Sequence, residues 1–145
     1  MTLLELIIAC AILLILSSAA LPIAKYTVIR QKEAELRRDL RAMKDAIDRY
    51  KDAADRNQIR VEIGSEGYPP DLETLVKGVQ LGASSDRKIR FLRKVPVDPM
   101  TGQADWGLRA VQDDPDSTSW GGKNVFDVYS KSMGTALDGT KYSDW

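Results

Sequence analysis

Residues 6–24 read LIIACAILLILSSAALPIA, a stretch of 19 residues that carries no charge and decides the fold. As an α-helix with a rise of 1.5 Å per residue, this stretch is about 29 Å long, close to the hydrocarbon thickness of a bilayer. A secretory signal would have basic residues ahead of its apolar core, and none lies between Met1 and Leu6. The stretch therefore predicts a helix that can span a membrane.

Glu5 is the one charged side chain before Lys25. An ionised carboxylate in apolar surroundings is costly unless it is paired, so an acid in such a segment indicates a functional site. The nearest positive charge is the amino terminus of Met1, and we expect Glu5 to pair with this amine in its own subunit or in a neighbouring copy. The alternative is that Glu5 lies at headgroup level, where the helix dipole favours a negative charge.

Pro22 interrupts the apolar run, because it lacks an amide hydrogen and its ring clashes with the preceding turn. We expect the helix to kink or loosen between Ala19 and Pro22, with Ser17 and Ser18 bonding to nearby carbonyls. The single cysteine, Cys10, lies inside the run and is expected to act as a small apolar side chain.

Beyond the hydrophobic N-terminal helix (residues 1–24), an amphipathic continuation is predicted over residues 25–56. Apolar residues recur there at heptad spacing: Leu36, Leu40, Met43, Ile47, Tyr50 and Ala54. This stripe fits either a coiled coil or packing on the chain's own globular part, and we favour packing because the stripe is short. One helix of about 80 Å is expected from Thr2 to Arg56.

The globular part, residues 57–145, has the composition of a small antiparallel sheet of two to four strands. The predicted strands are DWGLRAV (105–111) and NVFDVYS (124–130), and IRVEI (59–63) is expected to be either a short strand or an extended linker. A short helix is expected between its N-cap Asp71 and Gly78, and Trp145 is expected to return to the core. The predicted fold class is α+β, with the long helix packed on the sheet.

Composition argues against several functions. The 21 basic and 21 acidic residues cancel, and the basic segment Arg87–Lys94 is expected to be mostly exposed, so no nucleic-acid partner is predicted. The chain has no histidine, the commonest general base. An anchored enzyme would need an acid pair such as Asp113 and Asp114, which look like turn residues, so no enzymatic activity is predicted.

The opening TLLELIIACAILLILSSAALP (2–22) resembles the processed amino termini of the type IV pilin-like superfamily. Three later segments are similar to the major pseudopilin, the G-type subunit of type II secretion systems: YPPDLETLV (68–76), RKVPVDPMTG (93–102) and DVYSKSMGTALDGTKYSDW (127–145). This resemblance implies a filament subunit that prepilin peptidase cuts before residue 1 and that is then N-methylated there. Met1 departs from the phenylalanine common in the family, and we expect it to stand at the processed terminus.

The resemblance also implies roles for individual residues. Glu5 would neutralise the methylated terminal amine of an adjacent subunit, and the helix would partly unwind near Pro22. A calcium ion in the C-terminal loop would use the acids Asp138 and Asp144, with Ser130 or Ser143 as further oxygen donors, although calcium needs six to eight oxygens. The alternative is that LDGT (137–140) is simply a turn.

The function predicted from the resemblance is that of major pseudopilin in a pseudopilus that helps to push folded proteins through the outer membrane. Its partners would be other copies of itself, minor pseudopilins, the inner-membrane assembly platform, prepilin peptidase and, before assembly, lipid. It would lie first in the inner membrane and then in a periplasmic or extracellular filament. The alternative is a type IVa-like pilin of a surface pilus for adhesion, motility or DNA uptake, which the lack of paired cysteines disfavours. A simple anchored binding domain would not need Glu5.

Overall fold

The computed structural model of the chain describes residues 1–83 and 86–145. It contains two α-helices, α1 (Leu3–Asp55) and α2 (Leu72–Lys77), four strands, β1 (Val79–Gln80), β2 (Lys88–Ile89), β3 (Trp106–Arg109) and β4 (Asp127–Ser130), and a 3-10 helix at Tyr142–Asp144. Helix α1 has 53 residues, which corresponds to about 80 Å. The predicted α+β class and the single long helix are confirmed.

The core lies on the second half of α1. All six residues of the predicted stripe are buried, together with Ala46 and Ala53. They are covered by α2, β4 and the C-terminal segment of the same chain. The stripe therefore packs on the chain's own globular region, as predicted, and the coiled-coil alternative is wrong for this half of the helix.

The strands form two separate antiparallel pairs rather than one small sheet. β1 pairs with β2 so that Val79 lies opposite Ile89, and β3 pairs with β4 so that Leu108 lies opposite Val128. A side chain at Gly107 would overlap the Tyr129 ring, which explains the glycine in β3. The β1–β2 pair was missed because two-residue strands carry no periodicity that a sequence can display.

Of the two alternatives for residues 59–63, the structure shows the linker, because only Ile59 makes a bridge and residues 60–63 lie in no strand. Ile59 is buried and makes an isolated bridge to Leu81. Val61 and Ile63 are exposed and have no neighbouring strand, so the rest of the segment is a loop. The alternation of apolar residues here reflects one buried anchor rather than a sheet face.

The basic segment 87–94 is mostly exposed, as predicted, but it contains one buried side chain. Phe91 is 5% exposed, and its ring lies 5.4 Å from that of Tyr50 in an edge-on contact. Arg49 Nη2 donates a hydrogen bond of 2.6 Å to the Phe91 carbonyl. The charged neighbours Arg90, Arg93 and Lys94 stay at the surface around this single buried ring.

The C-terminal strand is shorter than predicted, because only Asp127–Ser130 of residues 124–130 pair with β3. Strict alternation along a strand would place Val125 and Val128 on opposite faces, but both are fully buried, whereas Phe126 is 46% exposed. The predicted alternation therefore fails where the chain enters the strand.

One buried acid was not singled out from the sequence. Asp98 is fully buried, and its Oδ1 accepts a hydrogen bond of 2.8 Å from the Met100 amide. Its Oδ2 accepts a hydrogen bond from the hydroxyl of Ser130, which is also fully buried at the end of β4. Asp98 thus ties the turn at residues 98–103 to the β3–β4 pair. The only sequence signal for it is the turn composition of DPMTG.

Candidate assembly surface

The first half of α1 has no protein cover. Every residue from 1 to 28 is exposed, and the first fully buried position is Leu36. We call residues 1–28 the uncovered segment. Its large apolar side chains, each at least half exposed, are Met1, Leu3, Leu4, Leu6, Ile7, Ile8, Ile12, Leu13, Leu14, Ile15, Leu16, Leu21, Ile23, Tyr26 and Val28.

The uncovered segment requires a partner. Removing one large apolar side chain from water contributes about 1.5–3 kcal/mol, so this many exposed side chains strongly disfavour a water-exposed helix. By length and composition, α1 is long and apolar enough to cross a membrane, and none of its most apolar window is buried in the chain itself. Lipid and the apolar helices of other copies are two of the environments that would cover such a surface.

Glu5 caps the helix to which it belongs. Thr2 is the N-cap of α1, and its hydroxyl accepts a 3.2 Å hydrogen bond from the Glu5 amide. The Glu5 carboxylate in turn accepts a 2.8 Å hydrogen bond from the Thr2 amide, completing a capping box. This local role supports the interpretation of Glu5 as a helix-start acid, and the sequence pattern T-x-x-E could have indicated it.

The cap leaves part of the carboxylate available. Both contacts from Thr2 reach Oε2, and Oε1 has no hydrogen-bond partner in the described residues. Within the same residues, no ion pair joins Glu5 to the amine of Met1, which is fully exposed. The predicted pairing inside one chain is therefore absent from the structure, and pairing with a neighbouring copy stays a prediction. One carboxylate can serve both roles, with Oε2 capping and Oε1 facing a cation.

Helix α1 continues through Pro22 without a break. The Ser18 hydroxyl donates to the Ile15 carbonyl at 2.8 Å, and the Thr27 hydroxyl donates to the Ile23 carbonyl at 3.0 Å. The helix of the isolated chain is therefore not interrupted at Pro22. A proline removes only one amide donor, and the helical turns on both sides stay intact. Two hydroxyl back-bonds flank Pro22, which weakens the helix there, and unwinding in an assembly stays a prediction.

The C-terminal loop is held on α1 by side chains, an arrangement we call the C-terminal clamp. Its members are Glu33, Arg37 and Lys44 of α1 together with Leu137, Asp138, Tyr142 and Trp145. Glu33 Oε1 accepts hydrogen bonds of 2.9 Å from the Leu137 amide and from the Tyr142 hydroxyl. The Arg37 guanidinium lies 4.1 Å from the centre of the Trp145 ring. Trp145 returns to the edge of the core and is half-buried there.

The predicted calcium ligands do not fit a calcium ion. Asp138 Oδ1 accepts hydrogen bonds from the amide and hydroxyl of Thr140, at 2.9 and 2.6 Å, and its Oδ2 lies 3.4 Å from Arg37 Nη2. These Thr140 bonds, with the Arg37 charge, lower the pKa of Asp138. Over residues 1–83 and 86–145, Asp144 joins no group of three or more possible ligands. LDGT forms a turn in the structure, and the positive charge of the Arg37 guanidinium beside Asp138 would repel a metal cation.

Of the other two proposed oxygen donors, Ser130 makes hydrogen bonds within the chain and Ser143 lies in a 3-10 helix. The Ser130 hydroxyl is directed to Asp98 and accepts from the Ser132 amide at 3.1 Å. Ser143 lies in the 3-10 helix with Asp144. The sequence showed the right residue types for a metal, but it did not show which hydrogen bonds each would make.

Calcium is expected to leave the stability of the full chain unchanged. A site saturated a hundredfold above its dissociation constant would add about 2.7 kcal/mol, so thermal unfolding in detergent with calcium or with chelator is a sensitive test. The matched variant Asp138→Ala should unfold at lower temperature in both conditions, because it loses the Thr140 and Arg37 contacts. A calcium-dependent rise in the wild type that disappears in Asp138→Ala would contradict the clamp.

The clamp is expected to loosen at alkaline pH. Burial and, next, the hydrogen bond to Glu33 raise the pKa of Tyr142 above its usual 10.0. The folded chain then keeps a proton that the unfolded chain has lost, so this stabilisation is complete below pH 10 and is lost as pH rises through the raised pKa. Trp145 fluorescence should report the change. Tyr142→Phe is the control, since it should lack this alkaline step while Tyr50, whose pKa burial also raises, remains.

One member of the acid pair considered for an enzyme, Asp113, has a structural role. Asp113 Oδ2 accepts hydrogen bonds from the amides of Ala110 and Gly121, at 2.7 and 3.0 Å. These bonds lower the pKa of Asp113 and close the turn at residues 110–121. A carboxylate stabilised in its charged form in this way is poorly suited to general acid catalysis.

Comparison with known proteins adds no relative to this picture. No family model, curated protein or solved structure matches the chain.

The structure places Met1 and Glu5 together at the start of α1, Pro22 inside the uncovered segment, and Asp138 in the C-terminal clamp. The residues that sequence reasoning missed, Glu33 and Arg37, are polar positions on a helix whose partners lie more than 100 residues later.

Proposed function

We propose that this chain is a non-enzymatic structural subunit of a helical filament of the type IV pilin-like kind. The observation that carries the proposal is the division of α1, whose second half is buried by the chain's own globular region while its first 28 residues have no cover. A helix of this kind can move between two apolar environments, the bilayer and a bundle of identical helices. The small globular region then lies on the outside of the bundle.

Assembly in this proposal exchanges lipid for protein around the uncovered segment. Before assembly the segment lies in the inner membrane, where all its backbone groups are bonded within the helix. During assembly its side chains pack against those of neighbouring copies. Glu5 meets the terminal amine of a neighbour, and because Glu5 lies four positions after Met1, this pairing favours an axial stagger of about 6 Å. The weakened helix around Pro22 gives the segment a place to stretch.

The subclass we propose is the major pseudopilin of a type II secretion pseudopilus, which helps to push folded proteins through the outer membrane. Three segments over residues 68–145 support it by resemblance. The lone cysteine, Cys10, is exposed in the uncovered segment, so side-chain contacts rather than a disulfide hold the C-terminal loop. Prepilin peptidase, minor pseudopilins and the inner-membrane platform are the partners of such a subunit.

Electron microscopy of the full chain tests the proposal. The purified chain should remain dispersed in detergent and form uniform helical fibres when detergent is removed in the absence of lipid. When lipid is supplied during detergent removal, the chain should insert into vesicles instead. A chain that only inserts into vesicles, or only precipitates without order, would show an anchored domain or an aggregate and would overturn the proposal.

A further inference from the structure

A groove on one side of α1 has walls of opposite charge. It has a volume of about 700 Å³ and lies between α1 and the segment that follows β2. Helix α1 contributes the exposed acids Asp45 and Asp48, and the segment contributes the exposed bases Arg93 and Lys94. In the described part of the chain, none of these four charges has an ion-pair partner. We call it the two-walled groove.

The lining between the two walls is apolar. Ala42 comes from α1, and Leu92 and Pro96 come from the opposite segment, where Leu92 and Pro96 are half-buried. Asp39 lies at one end of the groove, and burial raises its pKa. The Asp39 side chain is 14% exposed, so water has restricted access to that residue. A chain segment in which apolar and charged residues alternate has the side chains to match both the apolar lining and the charged walls of this groove.

The loop after α1 carries a segment of that composition. Arg60, Val61, Glu62 and Ile63 alternate charged and apolar side chains, and Ile63 is fully exposed. In the described residues, neither Arg60 nor Glu62 forms an ion pair. We call residues 60–63 the displayed segment.

Buried residues hold the displayed segment from both ends. Ile59 is 5% exposed and bridges to Leu81. Ser65 is 4% exposed, and its hydroxyl and amide donate to the Glu62 carbonyl at 2.8 and 3.2 Å. The segment is therefore presented in one conformation, which lowers the entropy lost on binding. These anchors also prevent the segment from folding back into the groove of its own chain.

The groove and the displayed segment lie on different sides of α1. The groove borders Arg49, whereas the loop returns next to Lys51, whose Nζ donates to the Glu66 carbonyl at 2.8 Å. At 3.6 residues per turn, two positions are about 200° apart around a helix, so these sides are nearly opposite. A contact between them joins two different surfaces, and repetition of such a contact produces an open helical array when the rotation between copies does not close into a ring.

We propose that the displayed segment of one copy docks into the two-walled groove of a second copy. Val61 and Ile63 face the apolar lining, Arg60 lies by the acidic wall and Glu62 by the basic wall. Because the loop that carries the displayed segment returns beside Lys51, six residues after Asp45, the two copies are displaced along α1 by about 9 Å. This inference rests on the filament proposed above, and it specifies a contact between the globular regions of two copies. The copy contacted in this way is displaced further along α1 than the copy whose amine Glu5 meets.

Disulfide cross-linking of two full-length chains tests the contact. In a Cys10→Ser background, one chain carries Ile63→Cys and the other carries Leu92→Cys, and the two are mixed before detergent is removed. Oxidation should give a dimer band about tenfold stronger than that of a control in which Met133→Cys, also fully exposed, replaces Ile63→Cys. Arg60→Asp should weaken the band and added Asp48→Arg should restore it, whereas Lys123→Asp, an exposed base outside both surfaces, should have no effect.

Imaging the same samples separates this inference from the proposed function. Filaments with the specific cross-link support both, and filaments whose cross-link is no stronger than the Met133 control overturn the docking contact alone. A specific cross-link without filaments supports the contact and overturns the filament. Samples with neither overturn both.

Discussion

The variant Glu5→Gln is expected to abolish filaments while leaving α1 fully helical. Glutamine can still accept from the Thr2 amide, so the capping box is kept, but the negative charge is lost. In an apolar bundle the amine of the neighbouring Met1 would then be buried without a counter-charge, a loss of about 3–5 kcal/mol for breaking a buried pair. At tenfold for each 1.4 kcal/mol, subunit association should weaken by about 100-fold or more. Electron microscopy and the protein concentration needed for fibre formation measure the effect.

Two further variants separate charge from capping. Thr2→Ala removes the hydroxyl cap, which lowers the stability of the helix by about 1 kcal/mol, but it keeps the carboxylate, so filaments should form. Glu5→Ala removes both and should fail to assemble, although it should still insert into vesicles. If Glu5→Gln forms normal fibres while Thr2→Ala does not, the acid acts only as a helix cap and the pairing of neighbouring copies is wrong.

The variant Asp98→Ala is expected to lower the free energy of unfolding by about 3 kcal/mol. It leaves the buried Ser130 hydroxyl and the Met100 amide without their acceptor, and an unpaired buried polar group costs about 1–3 kcal/mol, more where the lost partner was charged. Urea unfolding of the full chain in detergent measures the change. Tryptophan fluorescence should follow it, since Trp106 lies opposite Ser130 across the β3–β4 pair.

Asp105→Ala is the matched control for this substitution. Asp105 lies next to β3 and its carboxylate is 2.8 Å from Lys131 Nζ, but its side chain is 62% exposed. An exposed ion pair contributes about 1 kcal/mol or less, so the control should lose little stability. Adding Ser130→Ala to Asp98→Ala should lower the free energy of unfolding only a little further, because the Ser130 hydroxyl that Asp98→Ala leaves unpaired is then removed. Equal losses in the two single variants would show that Asp98 is not the link between the turn and β4.

Local sequence was sufficient for the long helix and for the face it buries. The heptad stripe from Leu36 to Ala54 repeats over five helical turns, and such a period survives whatever the stripe packs against. The short helix after Asp71 was also predictable, because the N-cap and the glycine that ends it are set by neighbouring residues. The absence of charge in residues 6–24 likewise fixed the character of the uncovered segment.

Contacts between distant residues decided the rest. The side of α1 that holds the C-terminal loop depends on Glu33 and Arg37 meeting residues more than 100 positions later. Their i, i+4 spacing by itself indicates only an ion pair within the helix. The same holds for Asp98, which looks like a turn residue until β4 places Ser130 beside it. The sequence by itself determined which segments are helical and which faces are apolar, since these follow from periodicity within a few turns. Only the tertiary structure decided which polar groups are paired, because each pairing depends on where a remote segment lies.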